Sequence, residues 1–245
     1  RSYPTHRIYG GYWSGGLRKN EGLEVDKVFR VTLPPRTFFT DVLGKAYLAL
    51  ARLGLRRFLE DHEFAAWNVV FDFQWLDQRY HRGLSLKDEL PFREELIDPD
   101  NKALAQKMGE GVTVAVHVRR GDDLTEENTR RYGAFCTKAY YERATAWMRT
   151  RHPDARFYFF SDDIDYVRKA FAADDAVFVD TNKGSDSWKD MYLMAHCKHH
   201  IIANSTFSYW AARLADTADG HIVIAPKKWY VWHDPDIFPD GWIRM

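Results

Sequence analysis

A chain of 245 residues with 35 Lys+Arg against 35 Asp+Glu has no net formal charge, which excludes the basic footprint of a nucleic-acid binder and an electrostatic hold on acidic membranes. It is long enough for one large domain or two small ones with an ordinary core. It has no apolar run near the roughly 20 residues that cross a bilayer and no basic-then-apolar signal peptide. Cys136 and Cys197 stand far apart without metal-ligand spacing. That predicts free thiols in a reducing compartment, the cytoplasm, with a disulfide as the lesser alternative.

In chain order, residues 1–110 read as mostly helical and irregular. The one strong pattern is a helix over Thr40–Glu60, with Val42, Leu43, Tyr47, Leu48, Leu50, Ala51 and Leu55 at helical spacing. From Gly111 the text changes to short apolar runs alternating with amphipathic helices. Val112–Val118 predicts a buried strand, Lys138–Arg151 a helix with Tyr140, Tyr141, Ala144, Trp147 and Met148 on one side, and Phe157–Phe160 the next strand. A helix over Asp165–Ala173 follows, capped by Ser161, Asp162 or Asp163. Ala176–Val179, a helix near Ser187–His196, His200–Ala203, a helix over Ser208–Ala215 and Ile222–Ala225 complete the series. This alternation predicts an α/β fold, a Rossmann-like parallel-sheet domain over 111–245 preceded by a separate part over 1–110. In such sheets ligands sit at the carboxyl ends of the strands.

Three polar clusters fall at those ends. The first is His117-Val118-Arg119-Arg120-Gly121-Asp122, with Asp123, Glu126 and Glu127 behind it. Adjacent arginines beside a glycine turn form a fork suited to phosphate oxygens, and such a fork can stabilise a departing diphosphate without a metal. Pairing of Arg120 with Asp122 in a surface network is the bland alternative. The second cluster is Phe160-Ser161-Asp162-Asp163, where a carboxylate can accept two hydrogen bonds from a guanine edge or from ribose hydroxyls, or simply cap a helix. The third is Asn204-Ser205-Thr206-Phe207-Ser208, whose hydroxyls and backbone N–H groups at a helix start form an anion site or, again, a cap. Asp163-Ile164-Asp165 spells an Asp-x-Asp of the kind by which many glycosyltransferases hold a divalent metal, but such triplets are common by chance, and Asp98-Pro99-Asp100 and Asp234-Pro235-Asp236 are two more. His196, His199 and His200 have zinc-like spacing, yet they run from helix end into strand and would diverge; they read as structural.

His117–Asp122 resembles the His-x-Arg-Arg-x-Asp motif of α-1,2-, α-1,6- and protein O-fucosyltransferases. Phe160–Asp163 and His199 through Ala212 are similar to the next two blocks of the bacterial α-1,2-fucosyltransferases, and Ala225-Pro226-Lys227-Lys228-Trp229 to their closing block. The resemblance covers roughly residues 65–230. It implies a GT-B-like architecture whose N-terminal part, 1–110, is on the acceptor side, and a 111–245 domain that binds GDP-fucose. The implied reaction is inverting transfer of L-fucose to a galactose-containing glycan, with no cofactor and no metal. Arg119 would hold the β-phosphate, and Arg120 and Asp122 would shape the loop. His117 and Asp162 would address guanosine, while Asn204, Ser205, Thr206, Phe207 and Ser208 would line the donor. Asp122, Glu126 and Glu127 are the carboxylates available as base, with Glu127 carried forward beside Asp122. A metal-dependent Asp-x-Asp enzyme and a catalytically silent nucleotide-sugar-binding module are the alternatives. The partners implied are the donor and a glycan acceptor, with peripheral contact to a membrane-linked glycan as an option. Two departures stand out. The family's phosphate-facing Gly-Gly-Leu-Gly-Asn-Gln loop is echoed only by Ser14-Gly15-Gly16-Leu17, which suggests a truncated front. The family's Phe/Tyr-Asp-Gly-Tyr-Trp-Gln segment appears as Phe71-Asp72-Phe73-Gln74-Trp75-Leu76, which leaves acceptor identity open.

Overall fold

The computed structural model describes residues 28–30, 42, 49–55, 85–120, 134–215, 220–229, 231 and 237–245. It divides into two units, Arg1–Leu76 with Leu90–Arg93, and Asp77–Glu89 with Glu94–Met245. In the first unit Phe29 and Phe92 form an antiparallel bridge with ring centroids 4.9 Å apart. Of the helix expected over Thr40–Glu60, the described stretch Ala51–Leu55 is helical but broken at Gly54, whose φ of 85° only glycine adopts freely. The segment Phe71–Leu76 lies outside the described residues.

The second unit is a six-stranded, all-parallel sheet in the order β3-β2-β1-β4-β5-β6. Its strands are β1 (Thr113–Val118), β2 (Arg156–Ser161), β3 (Ala176–Phe178), β4 (His199–Ile201), β5 (Val223–Ala225) and β6 (Ile243–Arg244). Helices α1 (Pro99–Gly109), α2 (Lys138–Arg151), α3 (Ile164–Ala170), α4 (Trp188–Ala195) and α5 (Thr206–Leu214) flank it. This is the Rossmann-like arrangement that the alternating pattern predicts. The chain runs outward from β1 to β3, then returns to the other side of β1 at β4, so the order in which strands are added reverses between β1 and β4.

Alternation along the strands divides the core between the two faces. Val114, Val116 and Val118 of β1 and Phe157 and Phe159 of β2 pack with Tyr140, Tyr141, Ala144 and Met148 of α2 and Val167 of α3. The apolar face read for α2 is therefore the buried one, except that Trp147 is only partly buried. Tyr140 donates its hydroxyl proton to the Ile202 carbonyl just beyond β4 at 2.8 Å, with the Ile224 carbonyl, which already accepts the Ile202 N–H, at 3.2 Å.

Several elements differ from expectation. α3 ends at Ala170, because Phe171 turns its side chain into the core. α5 begins at Thr206, two residues earlier than its apolar pattern starts. Helix α1 went unread within the irregular half, although its start signal was present: Asp98 at the N-cap accepts from the Asn101 N–H at 3.0 Å, and Pro99 opens the helix. The triplet Asp98-Pro99-Asp100 is thus a cap. Strand β6, two residues long, gains its place only by pairing with β5.

Beyond the end of β3, a polar network joins α1 to α4. Asn101 and Asn182 exchange side-chain hydrogen bonds at 2.9 Å, and Asn182 Nδ2 donates to Asp190 Oδ1 at 2.8 Å. Burial pushes the Asp190 carboxyl up to about 7, against the hydrogen bond from Asn182 and helped by the charge of Asp180. A raised folded-state value means that the contribution to stability is full in acid and lost as pH rises through 7. Asp190→Asn keeps an acceptor for Asn182 and removes the charge. We expect it to stabilise the protein at pH 8 by about 1–2 kcal/mol in urea titrations, with the gain fading by about pH 4; equal gains at both pH values would contradict this origin.

Candidate active site

Because β2, β1 and β4 are adjacent, their three polar carboxyl ends adjoin. Arg119, just beyond β1, donates from Nη1 to Ser205 Oγ at 3.3 Å, bridging the reversal between β1 and β4. Open α/β sheets bind ligands at this kind of reversal, because the diverging loops leave a crevice there. Arg120 turns the other way. Its backbone N–H donates to Asp162 Oδ1 at 2.9 Å, its Nε to Asp163 Oδ2 at 3.2 Å, and its guanidinium carbon lies 3.4 Å from the centre of the Tyr166 ring. The pairing of Arg120 is thus with Asp162 and Asp163, on the neighbouring strand.

Asp163 has a second task. Its Oδ1 accepts from the Tyr166 N–H at 3.2 Å as the N-cap of α3, so cap and arginine share the carboxylate. Ser161 Oγ accepts from the Asp163 N–H at 3.0 Å and sets that turn.

His117 projects from β1 on the face opposite Val118, with its ring 5.7 Å from that of Phe207. Its Nδ1 is enclosed and has no hydrogen-bond partner among the described residues. Burial, then the adjacent Arg119 charge, pulls its pKa down to about 4, against the opposing pull of Asp162. The ring is therefore neutral at physiological pH.

In the third cluster, Asn204 accepts at Oδ1 from the Cys136 thiol at 3.3 Å and donates from Nδ2 to the Trp229 carbonyl at 3.4 Å. Ser205 is 2% exposed and stands at the N-cap of α5 without a side-chain cap bond, its hydroxyl serving Arg119 instead. Thr206 is exposed in the first turn. Ser208 is buried, and its hydroxyl donates back to the Ser205 carbonyl at 3.4 Å, within the helix. Asp122, Glu126 and Glu127 lie outside the described residues.

A cleft of about 140 Å³ opens beside the arginines, with Val118, Cys136, Tyr141 and Asn204 among its walls. Tyr166 and Cys136 belong to this site and were missed as site residues. Cys136 reads only as a free thiol, which it is, and nothing in the sequence singles out Tyr166 until α3 places it against Arg120. The histidines of the zinc-like spacing diverge: His199 and His200 lie on β4 with opposite faces, and His196 bonds the Tyr192 carbonyl at 2.8 Å. Among the described residues no cluster of metal-ligating side chains occurs, and no helix is long and apolar enough to cross a membrane.

Known proteins are similar in sequence to this chain. An α-1,2-colitosyltransferase of Escherichia coli is 29% identical over 261 residues, covering 100% of this chain and 87% of that protein. The O-antigen biosynthesis glycosyltransferase WbnK, also of Escherichia coli, is 33% identical over 54% of this chain and 44% of its own length. The galactoside α-(1,2)-fucosyltransferase 1 of Saimiri sciureus is 38% identical over 104 residues, 42% of this chain and 28% of that protein. The chain thus spans less than half the length of the latter two. The sequence model of glycosyl transferase family 11 matches residues 38–244, from within the first unit through β6, and the chain belongs to that glycosyltransferase family.

Proposed function

We propose that the protein is an inverting, metal-independent fucosyltransferase that moves L-fucose from GDP-fucose to a hydroxyl of a galactose-containing glycan, in α-1,2 linkage. The observation that carries this reading is the Arg119–Ser205 contact at the reversal between β1 and β4, a guanidinium and a hydroxyl at the place where a parallel sheet takes a nucleotide. The family membership and the α-1,2-fucosyl- and colitosyltransferase relatives support it.

In this reading the sheet domain, 111–245, holds the donor and the N-terminal part faces the acceptor. Arg119 and the α5 N-terminus with Asn204, Ser205, Thr206, Phe207 and Ser208 hold the diphosphate side, while His117 and Asp162 address guanosine. The acceptor oxygen attacks the anomeric carbon as that carbon's bond to the β-phosphate oxygen breaks. GDP leaves with the bonding pair, and Arg119 stabilises the charge that develops on it. The acceptor's proton passes to a carboxylate, Asp122 or Glu127.

The colitosyltransferase match over the whole chain favours one second reading: the transferred sugar is colitose, which lacks the 3-hydroxyl of fucose. The test supplies GDP-fucose and GDP-colitose separately, with a β-galactoside acceptor and excess EDTA. We expect transfer from GDP-fucose that EDTA leaves intact. Transfer from GDP-colitose alone would reassign the donor sugar, and activity abolished by EDTA would assign the diphosphate to a metal.

A further inference from the structure

We propose that Tyr166 and Asp163 form a clamp on Arg120 that positions Arg119, so that the two adjacent arginines do separate jobs; the functional consequence rests on the donor-binding role given to Arg119 above. Neighbouring side chains on an extended backbone point to opposite sides, and here one guanidinium goes toward β4 and the other toward β2. Arg120 is fixed at three points: its amide by Asp162 at 2.9 Å, its Nε by Asp163 at 3.2 Å, and its guanidinium plane by the Tyr166 ring at 3.4 Å. That separation is short for a cation over a ring, and it is reached with the arginine side chain only 26% exposed.

The clamp acts on Arg119 through the backbone. The Arg120 amide belongs to the same peptide as the Arg119 carbonyl, so holding that amide to Asp162 fixes the rotation of Arg119 about its Cα–C bond. The Asp163 carboxylate compensates the Arg120 charge, which leaves Arg119 as the guanidinium delivered to Ser205 at the β1–β4 reversal. Asp163 is itself anchored as the cap of α3, and Tyr166 rides on the first turn of that helix with its ring packed against the core. Capping, stacking and ion pairing thus converge from one short helix on one arginine. Tyr166 and Arg120 are positioning residues: they aim the side chain that meets the phosphate.

The experiment compares the parent chain with Tyr166→Leu, which keeps apolar bulk, and Tyr166→Phe, which restores the ring face without the hydroxyl. Two readouts are taken, the arginine Nε–Hε nuclear magnetic resonance spectrum, assigned with Arg119→Lys and Arg120→Lys, and GDP affinity by calorimetry in EDTA. We expect an Arg120 Hε shifted upfield by the Tyr166 ring in the parent. In Tyr166→Leu that shift is lost, the Arg119 signal changes, and GDP binding weakens roughly fivefold to tenfold, the scale of one partly desolvated cation–π contact. Tyr166→Phe recovers both readouts, and all three proteins melt at similar temperatures.

An unshifted Arg120 Hε in the parent overturns the clamp. So does a Tyr166→Leu protein that leaves the Arg119 signal unchanged, or that binds GDP as the parent does. A parent that shows the shifted Hε but binds no GDP overturns the donor reading instead, and the Arg119 signal in Tyr166→Leu then decides the clamp alone.

Discussion

On the donor-binding role proposed for Arg119, Arg119→Ala will abolish GDP binding measurable by calorimetry, an affinity loss of roughly 100-fold or more, and will lower the transfer rate about 1000-fold, because a charge-assisted fork on a leaving diphosphate is lost with it. The reason lies in placement. Arg119 reaches Ser205 across the reversal of the sheet, whereas the charge of Arg120 is compensated by Asp163 and its plane is stacked on Tyr166. In the proposed donor site, alanine at 119 therefore leaves the phosphate side without its guanidinium. Lysine will not restore it, since a point charge cannot reproduce two parallel N–H donors. The Arg119–Ser205 contact itself, at 3.3 Å and half-buried, contributes only about 1 kcal/mol to folding stability. An Arg119→Ala protein that binds GDP normally would remove the diphosphate from this loop, and a protein that no longer folds would make Arg119 structural.

The second large effect is loss of stability in mild acid. His199 and His200 are fully buried on β4. His199 Nδ1 accepts from the Ile222 N–H at 3.1 Å, its Nε2 has no hydrogen-bond partner, and its ring stacks 4.7 Å from His152. His200 Nε2 lies 2.9 Å from the Met194 carbonyl, which can only accept, so that nitrogen carries the proton and Nδ1 accepts from His221 Nε2 at 2.9 Å. These hydrogen bonds are satisfied with all three rings neutral.

Burial first, then the neighbouring His152 and Lys198, pulls His199 down to about 4. Burial and His199 bring His221 to about 4, and burial with His221 holds His200 well below its ordinary value. The unfolded rings titrate near 6.5, so between there and 4 the unfolded state binds more protons. The stability these rings contribute is complete above about pH 6.5 and is lost as pH falls toward 4. His199 and His221, each lowered to about 4, lose together roughly 2–4 kcal/mol between pH 7 and pH 5, and His200 adds to the loss in the same direction, against an ordinary domain's total of about 5–15 kcal/mol. Asp190 works in the opposite direction, but it is one group against three. Urea midpoints measured from pH 7.5 to 5 should fall steeply, and His221→Gln, which keeps a donor for His200 Nδ1, should reduce the slope by about one-third. A flat profile would show that these rings already take up protons in the folded state.

The sequence by itself determined the order of strands and helices from β1 to β5, since short apolar runs alternating with amphipathic helices admit little besides a parallel sheet. It also determined the chemical type of the three polar clusters, because loops at strand ends are where Arg, Asp, Ser and Asn have no core to serve. What it left open was which groups meet. That Arg119 goes to Ser205 and Arg120 to Asp162 and Asp163 depends on β1 lying between β2 and β4, and strand order is set by long-range pairing that no local pattern encodes.

The same dependence explains the other misses. Tyr166 reads as an ordinary helix residue until α3 brings its ring against Arg120, and β6 is too short to show any period. Helix α1 carried its Asp-Pro start, yet that signal was masked by the irregular text around it. The histidines of β4 had metal-like spacing in one dimension. Only the pleat, which sends His199 and His200 to opposite faces, decided that one stacks on His152 and the other hydrogen-bonds to His221.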